Sequence, residues 1–142
     1  MASAREVSDR LSELINARDA EGIGALFAED GKFTEPAGEF NGRRAIVEYW
    51  QVIFRAFPDM QVRDDLKADA GDSAMNEWTA GGTHSGPWET PDGRVPATGK
   101  RVTFRGCDIV AVRDGRIYDH RGYYDQLSLM TQLGLVPEGV AS

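Results

Sequence analysis

Two β-rich runs on either side of Asp114-Gly115 constrain the fold of this chain more than any other feature. An Asp-Gly pair between such runs is a strong signal for a tight β-hairpin. A two-residue turn at Asp114-Gly115 would place Asp108 opposite Arg121. A three-residue turn, with Gly115 in the left-handed conformation, would instead place Asp108 opposite His120. We predict the second register.

In that register each face of the hairpin has a distinct composition. One face carries Phe104, Gly106, Asp108 and Val110 opposite Tyr118, His120, Gly122 and Tyr124, whereas the other carries Arg105, Cys107, Ile109 and Ala111 opposite Ile117, Asp119, Arg121 and Tyr123. The first face combines aromatic residues with one acid, one imidazole and two glycines, which is typical of the wall of a ligand pocket with a few polar groups. An ordinary two-sided sheet whose polar residues face water is an equal alternative.

The composition is that of an ordinary globular protein, with 41% apolar and 27% charged residues. The 142 residues are enough for one domain with a real core, predicted over residues 1–142. The net charge of −7 argues against nucleic acid or an anionic membrane as a partner, because both attract a basic patch.

Targeting and ligand signals are missing from the sequence. No apolar run is long enough for a membrane helix, and the N-terminus lacks the apolar core of a signal peptide. Cys107 is the only cysteine, so an internal disulfide is impossible. There is neither a Gly-rich phosphate loop nor a Cys or His cluster at metal-ligand spacing. We therefore predict a cytoplasmic protein with no metal and no cofactor.

Four stretches have the spacing or the end signals of helices. They run from Ser3 to Arg18, from Asp19 to Asp30, from Arg43 to Phe57 and from Gln126 to Leu133. Ser3 and Glu6 fit a capping box at the first, and Gly134 is the predicted C-cap of the last. The third is rich in aromatic residues; Trp50 and Phe54 are candidates to line a pocket, although core packing is the commoner role.

The remaining segments read as strands and loops. Besides the hairpin, strands are predicted over Lys32–Glu35, Met60–Ala70 and Ser73–His84, with loops at Pro36–Gly42 and Ser85–Ala97 and a loose tail from Val136. The second loop is rich in Pro and Gly, and its Trp88 is predicted to be a lid at a pocket mouth; a solvent-exposed hairpin tip is the alternative. The element order predicts an α+β fold with a curved, mixed, mostly antiparallel sheet wrapped around the N-terminal helices.

Several short segments, in this order, carry a family resemblance. They are Glu35-Pro36-Ala37-Gly38, Ala56-Phe57-Pro58-Asp59, Gly82-Thr83-His84-Ser85-Gly86, Ala97-Thr98-Gly99-Lys100, Asp114-Gly115-Arg116-Ile117, Asp125-Gln126-Leu127 and Gln132-Leu133-Gly134. With this pattern the chain resembles the SnoaL-like polyketide cyclases and the related ester cyclases. The resemblance covers nearly the whole chain and implies the cone-shaped barrel of the nuclear-transport-factor-2-like fold, with one deep cavity. It also implies a homo-oligomer, a dimer or tetramer, and an intramolecular aldol closure that needs no metal or organic cofactor.

The resemblance also bears on individual residues, and here the sequence departs from the pattern. The acidic residue that serves the cyclases as acid/base falls at Gly122, and their second polar residue, a histidine, falls at Asp108. Their histidine before the catalytic acid is present as His120. Either Asp108 has taken over the proton transfer with His120, or the chemistry differs.

The candidate site follows from these assignments. Asp108 and His120 are the predicted catalytic residues, and the predicted substrate-binding residues are Trp50, Phe54, His84, Trp88, Phe104 and Tyr124. Three functions stay open: a cyclase-like enzyme on an apolar, oxygenated small molecule, another lyase, isomerase or hydrolase on the same fold, and a non-catalytic small-molecule binder. Asp125 is predicted to be the N-cap of the last helix.

Overall fold

The computed structural model describes residues 1–136, so the predicted tail beyond Val136 lies outside the described residues. The elements, in chain order, are α1 (Ala4–Asn16), α2 (Ala20–Ala25), β1 (Phe27–Glu35), β2 (Gly38–Asn41), α3 (Arg43–Ala56), β3 (Gln61–Ala70), β4 (Ser73–Thr83), β5 (Trp88–Thr90), β6 (Gly93–Val95), β7 (Arg101–Arg113), β8 (Arg116–Tyr124) and α4 (Gln126–Leu133). This is an α+β fold, as predicted.

Six strands form one mixed sheet in the order β2-β1-β8-β7-β4-β3. Strands β1 and β8 run parallel, and every other neighbouring pair in this sheet is antiparallel. The remaining strands, β5 and β6, form a small separate hairpin. Because sheet neighbours β8, β7 and β4 are long, one continuous face is available to pack against the helices. That face supplies the wall of the site described below.

Local signals set the ends of the helices. In α1 the Ser3 side chain accepts a hydrogen bond from the Glu6 backbone N–H, and the Glu6 carboxylate accepts one from the Ser3 backbone N–H. This confirms the predicted capping box. Helix α4 begins at an Asp125 side chain that accepts from the Ser128 N–H, and it ends at Gly134 in the left-handed conformation. Both ends of α4 were predicted from these residue types.

The short second helix ends earlier than predicted. It stops at Ala25, and Phe27 already pairs with Ile117 as the first residue of a nine-residue strand. The Phe27 side chain is completely buried. Pairing with β8 and burial of Phe27 therefore outweigh the local helical pattern up to Asp30. The two predicted loops are also partly strand, since each contains a short antiparallel pairing, β2 against β1 and β5 against β6.

The β7–β8 hairpin follows the register of a two-residue turn only next to the turn, and a different register beyond it. Asp114 and Gly115 have φ of 55° and 75°, and Arg113 pairs with Arg116, so the turn has two residues. The predicted three-residue turn is wrong. The register then shifts, because Tyr118 is an extra, unpaired residue between two pairs of the ladder.

This bulge decides which side chains face the core. Beyond it, Val110 pairs with His120, and Asp108 pairs with Gly122 rather than with His120. Asp108 and His120 still share one face, as diagonal neighbours. Nearer the turn, Ile117 is fully buried in the core, against the prediction that it lies on the outer face. Tyr118 leaves the predicted pocket face, with the Arg113 guanidinium 4.1 Å above its ring.

Candidate active site

The inner face of the sheet and helices α1, α3 and α4 surround a cavity that opens to solvent on one side. Most of the lining is aliphatic and aromatic. Seven lining residues can form side-chain hydrogen bonds from a titratable or hydroxyl group: Ser12, Glu35, Tyr49, Asp64, Asp108, His120 and Tyr124. An apolar cavity with a few such groups suits an apolar ligand that carries oxygen atoms.

The Asp108 and His120 side chains meet at the wall of this cavity. His120 Nε2 is 2.9 Å from Asp108 Oδ2, a hydrogen-bond distance. The two side chains are only 4% and 13% exposed, for His120 and Asp108 respectively. The His120 ring also stacks on Phe33, with the ring centroids 4.5 Å apart, which holds the imidazole in one orientation.

Each member of this pair also keeps one polar atom without a partner. Asp108 Oδ1 and His120 Nδ1 are buried and make no hydrogen bond to any of residues 1–136. Unpartnered buried polar atoms cost stability, and proteins keep few of them. Since the pair can share and exchange a proton, the two free atoms are the places where a ligand's polar group could bind.

Gly122 lies beside the pair, at the position where the resemblance implied a catalytic acid. It lines the cavity, and a Cβ added there would lie 3.8 Å from Glu35 Cβ and from Phe33 Cε1. These are ordinary contact distances, so the missing side chain leaves space for a ligand. Position 122 therefore has no carboxylate, but Glu35 lies next to it.

Glu35 was not among the residues predicted for the site. It is 6% exposed, and its Oε2 accepts hydrogen bonds from the Ala37 N–H at 2.6 Å and from the Tyr124 hydroxyl at 3.3 Å. Burial, and then the nearby Glu35 carboxylate, raise the pKa of Tyr124 well above its usual range. The same two causes raise the pKa of Tyr49. Both phenols therefore stay neutral and able to donate.

A signal for Glu35 was present in the sequence. Phe33 and Glu35 have the same parity in a strand, so a buried Phe33 implies a Glu35 on the same face. The predicted strand was only four residues long and had no assigned partner, which left that face undefined. Burial of Glu35 depends on the position of β1 inside the sheet, between β2 and β8.

The other predicted site residues divide into two groups. Trp50, Trp88, Phe104 and Tyr124 line the cavity. Phe54 and His84 are not among its lining residues. Phe54 stacks on Trp50, with the ring centroids 5.4 Å apart, and so supports the wall from behind. Their roles in binding a substrate stay predictions.

His84 lies completely buried behind the cavity wall. Its Nδ1 accepts a hydrogen bond from the Thr98 N–H at 3.2 Å and lies 3.0 Å from the Thr98 hydroxyl. Its ring packs against Phe57 and Trp88, with centroid distances of 5.3 and 6.1 Å. Burial lowers its pKa, and no acidic side chain among residues 1–136 offsets the loss of water.

Trp88 is part of that aromatic group rather than an exposed loop residue. It begins β5, its side chain is 9% exposed, and it packs edge-on against Phe57 at a centroid distance of 5.7 Å. The tip of the β5–β6 hairpin lies instead at Pro91 and Asp92. One side of the indole therefore contributes to the core and the other to the cavity.

Among residues 1–136 there is no group of three or more His, Cys, Asp or Glu placed to hold a metal ion. In the same part of the chain, no helix has the length and apolar character needed to cross a membrane.

Solved structures define the class of the fold. The chain is similar to a proposed SnoaL-like polyketide cyclase from Jannaschia sp. CCS1, with a TM-score of 0.82 and 19% identity over 94% of this chain and 93% of that one. It is similar to IdmH of Streptomyces antibioticus, a proposed polyketide cyclase, with a TM-score of 0.76 and 27% identity over 94% and 99%. AclR of Streptomyces galilaeus, a proposed hydroxylase, has a TM-score of 0.80 and 21% identity over 95% and 87%. Another neighbour is described as having a ketosteroid isomerase-like fold.

The sequence itself places the chain more narrowly. Residues 5–133 match the family model of the SnoaL-like polyketide cyclases. The protein belongs to this family, as the short segments in its sequence predicted. No relative was found among the curated proteins.

Proposed function

We propose that the protein is an enzyme that performs acid/base chemistry on an apolar, oxygenated small molecule, with an intramolecular aldol closure as its reaction. The observation that carries this proposal is the buried contact between His120 Nε2 and Asp108 Oδ2 at the cavity wall. A carboxylate and an imidazole in contact exchange a proton readily, and they titrate as a pair. Proton transfer by such a positioned group is what a general acid or base supplies.

An aldol closure fits the groups at hand. One proton leaves the carbon next to a ketone, the electron pair of that C–H bond forms a new C–C bond to a second carbonyl carbon, and the oxygen of that carbonyl receives a proton. Every step is a proton transfer or a bond between substrate atoms. Asp108 and His120 can transfer the protons, and the aromatic walls can hold the two carbonyl groups close together. No metal or organic cofactor has a step in this scheme.

The test uses a substrate of that chemistry and one conservative variant. An aryl-substituted 1,5-diketone closes to a cyclic hydroxyketone, which loses its new hydroxyl and a neighbouring hydrogen as water to give a conjugated cyclohexenone, whose formation is followed by ultraviolet absorbance. Asp108→Asn keeps the shape of the side chain and removes its ionisable group. We expect it to lower turnover ~10²–10⁴-fold, the cost of losing a general acid or base, while the melting temperature changes little.

Asp64→Asn is the matched control, because Asp64 also lines the cavity but lies away from His120, with its Oδ2 accepting from the Ser12 hydroxyl. It should retain turnover. Full turnover by Asp108→Asn would make the pair structural. Tight binding of the diketone without any closure by the wild-type protein would favour a non-catalytic binding protein.

The proposal extends to assembly and location. We propose a homo-oligomer, at least a dimer, formed through the outer face of the sheet. There Leu66, Glu77, Cys107 and Tyr123 are consecutive neighbours across four strands, with Leu66 64% and Tyr123 52% exposed. Exposed large apolar side chains such as Leu66 and Tyr123 are a common part of a subunit interface. Light scattering at micromolar concentration should show a mass above the 15.6 kDa of one chain. A cytoplasmic location is part of the same proposal.

A further inference from the structure

Glu35 is a buried carboxylate at the cavity, and it has no role in the proton transfer proposed for Asp108 and His120. Its two hydrogen bonds, from the Ala37 N–H and the Tyr124 hydroxyl, both end on Oε2. The Tyr49 phenol lies near the same carboxylate. Two donors on Oε2 fix the orientation of the carboxylate, so in the described part of the chain Oε1 is the oxygen that can meet a ligand.

The sheet places Glu35 and Asp108 on opposite sides of a gap. Thr34 pairs with Arg121 and Asp108 pairs with Gly122, so Glu35, Gly122 and Asp108 lie side by side on β1, β8 and β7. Neighbouring strands lie about 4.8 Å apart, so the backbones at Glu35 and Asp108 are about 10 Å apart. Since Gly122 has no side chain, the space between the two carboxylates is open to the cavity.

A closure between two carbonyl groups needs a proton-accepting group and a proton-donating group at the same time. A single carboxylate cannot be ionised and protonated at once, so two separate groups suit the reaction better. The Asp108–His120 contact can hold a proton between Oδ2 and Nε2, and Glu35, which accepts two hydrogen bonds, is a separate carboxylate on the other side of the gap. The neutral Tyr124 phenol stays a donor next to it, since its pKa is raised.

We propose that Glu35 is a second catalytic residue, whose Oε1 removes the proton from the carbon next to the carbonyl of an enolisable ketone lying over Gly122. This rests on the proposed function. The electron pair of the broken C–H bond forms the C–C bond, and the oxygen of the acceptor carbonyl takes a proton from the Asp108–His120 pair. Glu35 ends with one proton more and the pair with one fewer, and both return to their starting states by exchange with water at the cavity mouth.

Removal of the carbon-bound proton can be measured by itself. 2-Tetralone in deuterium oxide exchanges the hydrogens next to its carbonyl, and NMR follows the loss of their signals. We expect the wild-type protein to accelerate this exchange and Glu35→Gln to lose ~10²–10⁴-fold of that acceleration. The glutamine keeps the shape, and its amide oxygen can accept both present hydrogen bonds. Glu39→Gln, an exposed residue on the adjacent β2, is the matched control and should leave exchange unchanged.

The outcomes separate the two proposals. If Glu35→Gln exchanges as fast as the wild type while Asp108→Asn no longer closes the diketone, the assignment of Glu35 is overturned and the proposed function stands. If the wild-type protein accelerates neither exchange nor closure, both are overturned.

A second variant tests Glu35 without replacing it. Tyr124→Phe removes one of the two donors to the ionised carboxylate, so the low-pH limb of the exchange rate should move to higher pH. A residue that only packs the cavity would not move that limb. A pH profile of Tyr124→Phe that overlays the wild-type profile overturns the assignment, including the case in which Glu35→Gln does not fold.

Discussion

The two histidines of this chain are both buried, with His84 0% and His120 3% exposed, but their surroundings differ. His120 contacts a carboxylate and lines the cavity. His84 contacts Thr98 and aromatic rings, and it lies behind the cavity wall. Burial is therefore shared by both sites and decides nothing about function. The carboxylate partner and access to the cavity are what distinguish a proton-transfer site from a packing site.

The largest expected effect is on stability, at the aromatic group around His84. Trp88→Ala should lower the free energy of unfolding by about 3–5 kcal/mol, because it empties a site where the indole packs against Phe57 and His84. Urea denaturation measures this loss, with Trp88→Phe as the control that keeps an aromatic ring. A loss below about 1 kcal/mol, together with weaker ligand binding, would instead show that Trp88 acts as a lid.

A smaller effect is expected when the two histidines are exchanged for glutamine in turn. His120→Gln should lower turnover of the diketone about 10–100-fold, because the amide can still orient Asp108 but cannot carry a proton. His84→Gln should change turnover by less than about threefold, since His84 lies behind the cavity wall and meets the substrate space only through Phe57 and Trp88. Steady-state kinetics on both variants decides this. Equal losses for the two variants would remove the distinction between the sites.

The smallest effect is a pH dependence of stability at His84. Its folded-state pKa is lowered by burial, so the folded protein favours the neutral ring. The stability that depends on the neutral ring is fully present above the unfolded pKa of about 6.5 and is lost as the pH falls below it. Melting temperatures between pH 8 and pH 5 should therefore fall more steeply for the wild type than for His84→Gln. Parallel curves would show that His84 titrates as it does in the unfolded chain.

The comparison also shows how far sequence reasoning reached at the site. The Asp108–His120 proximity was predicted, and the structure places the two side chains in contact, but through a register that differs from the predicted one. The shorter turn and the bulge at Tyr118 each shift the ladder by one residue in the same direction, so Asp108 and His120 keep a common face but become diagonal neighbours. Ile117 lies between the turn and the bulge, where only one shift applies, and the prediction therefore placed it on the wrong face. A correctly predicted side-chain contact therefore does not establish the strand register from which it was predicted.

Glu35 illustrates the opposite case. Its residue type and its parity with Phe33 were visible in the sequence, but its role depends on strands that are distant in the chain. Gly122 and Tyr124, which lie beside it, are 87 and 89 residues further on. Parallel pairing of β1 with β8 brings them together, and local residue preferences do not specify such a pairing.

The sequence by itself determined the features whose interactions span only a few residues. Ser3 with Glu6, Asp125 with Ser128 and the left-handed Gly134 begin or end helices through hydrogen bonds and backbone preferences within one turn. The presence of a turn at Asp114-Gly115 belongs to the same group, but its length was predicted wrongly. Tertiary structure alone decided the length of β1, the bulge at Tyr118 and the burial of Glu35. The physical reason is that strand pairing and burial depend on the distant residues that the fold brings into contact, and these can outweigh a local preference.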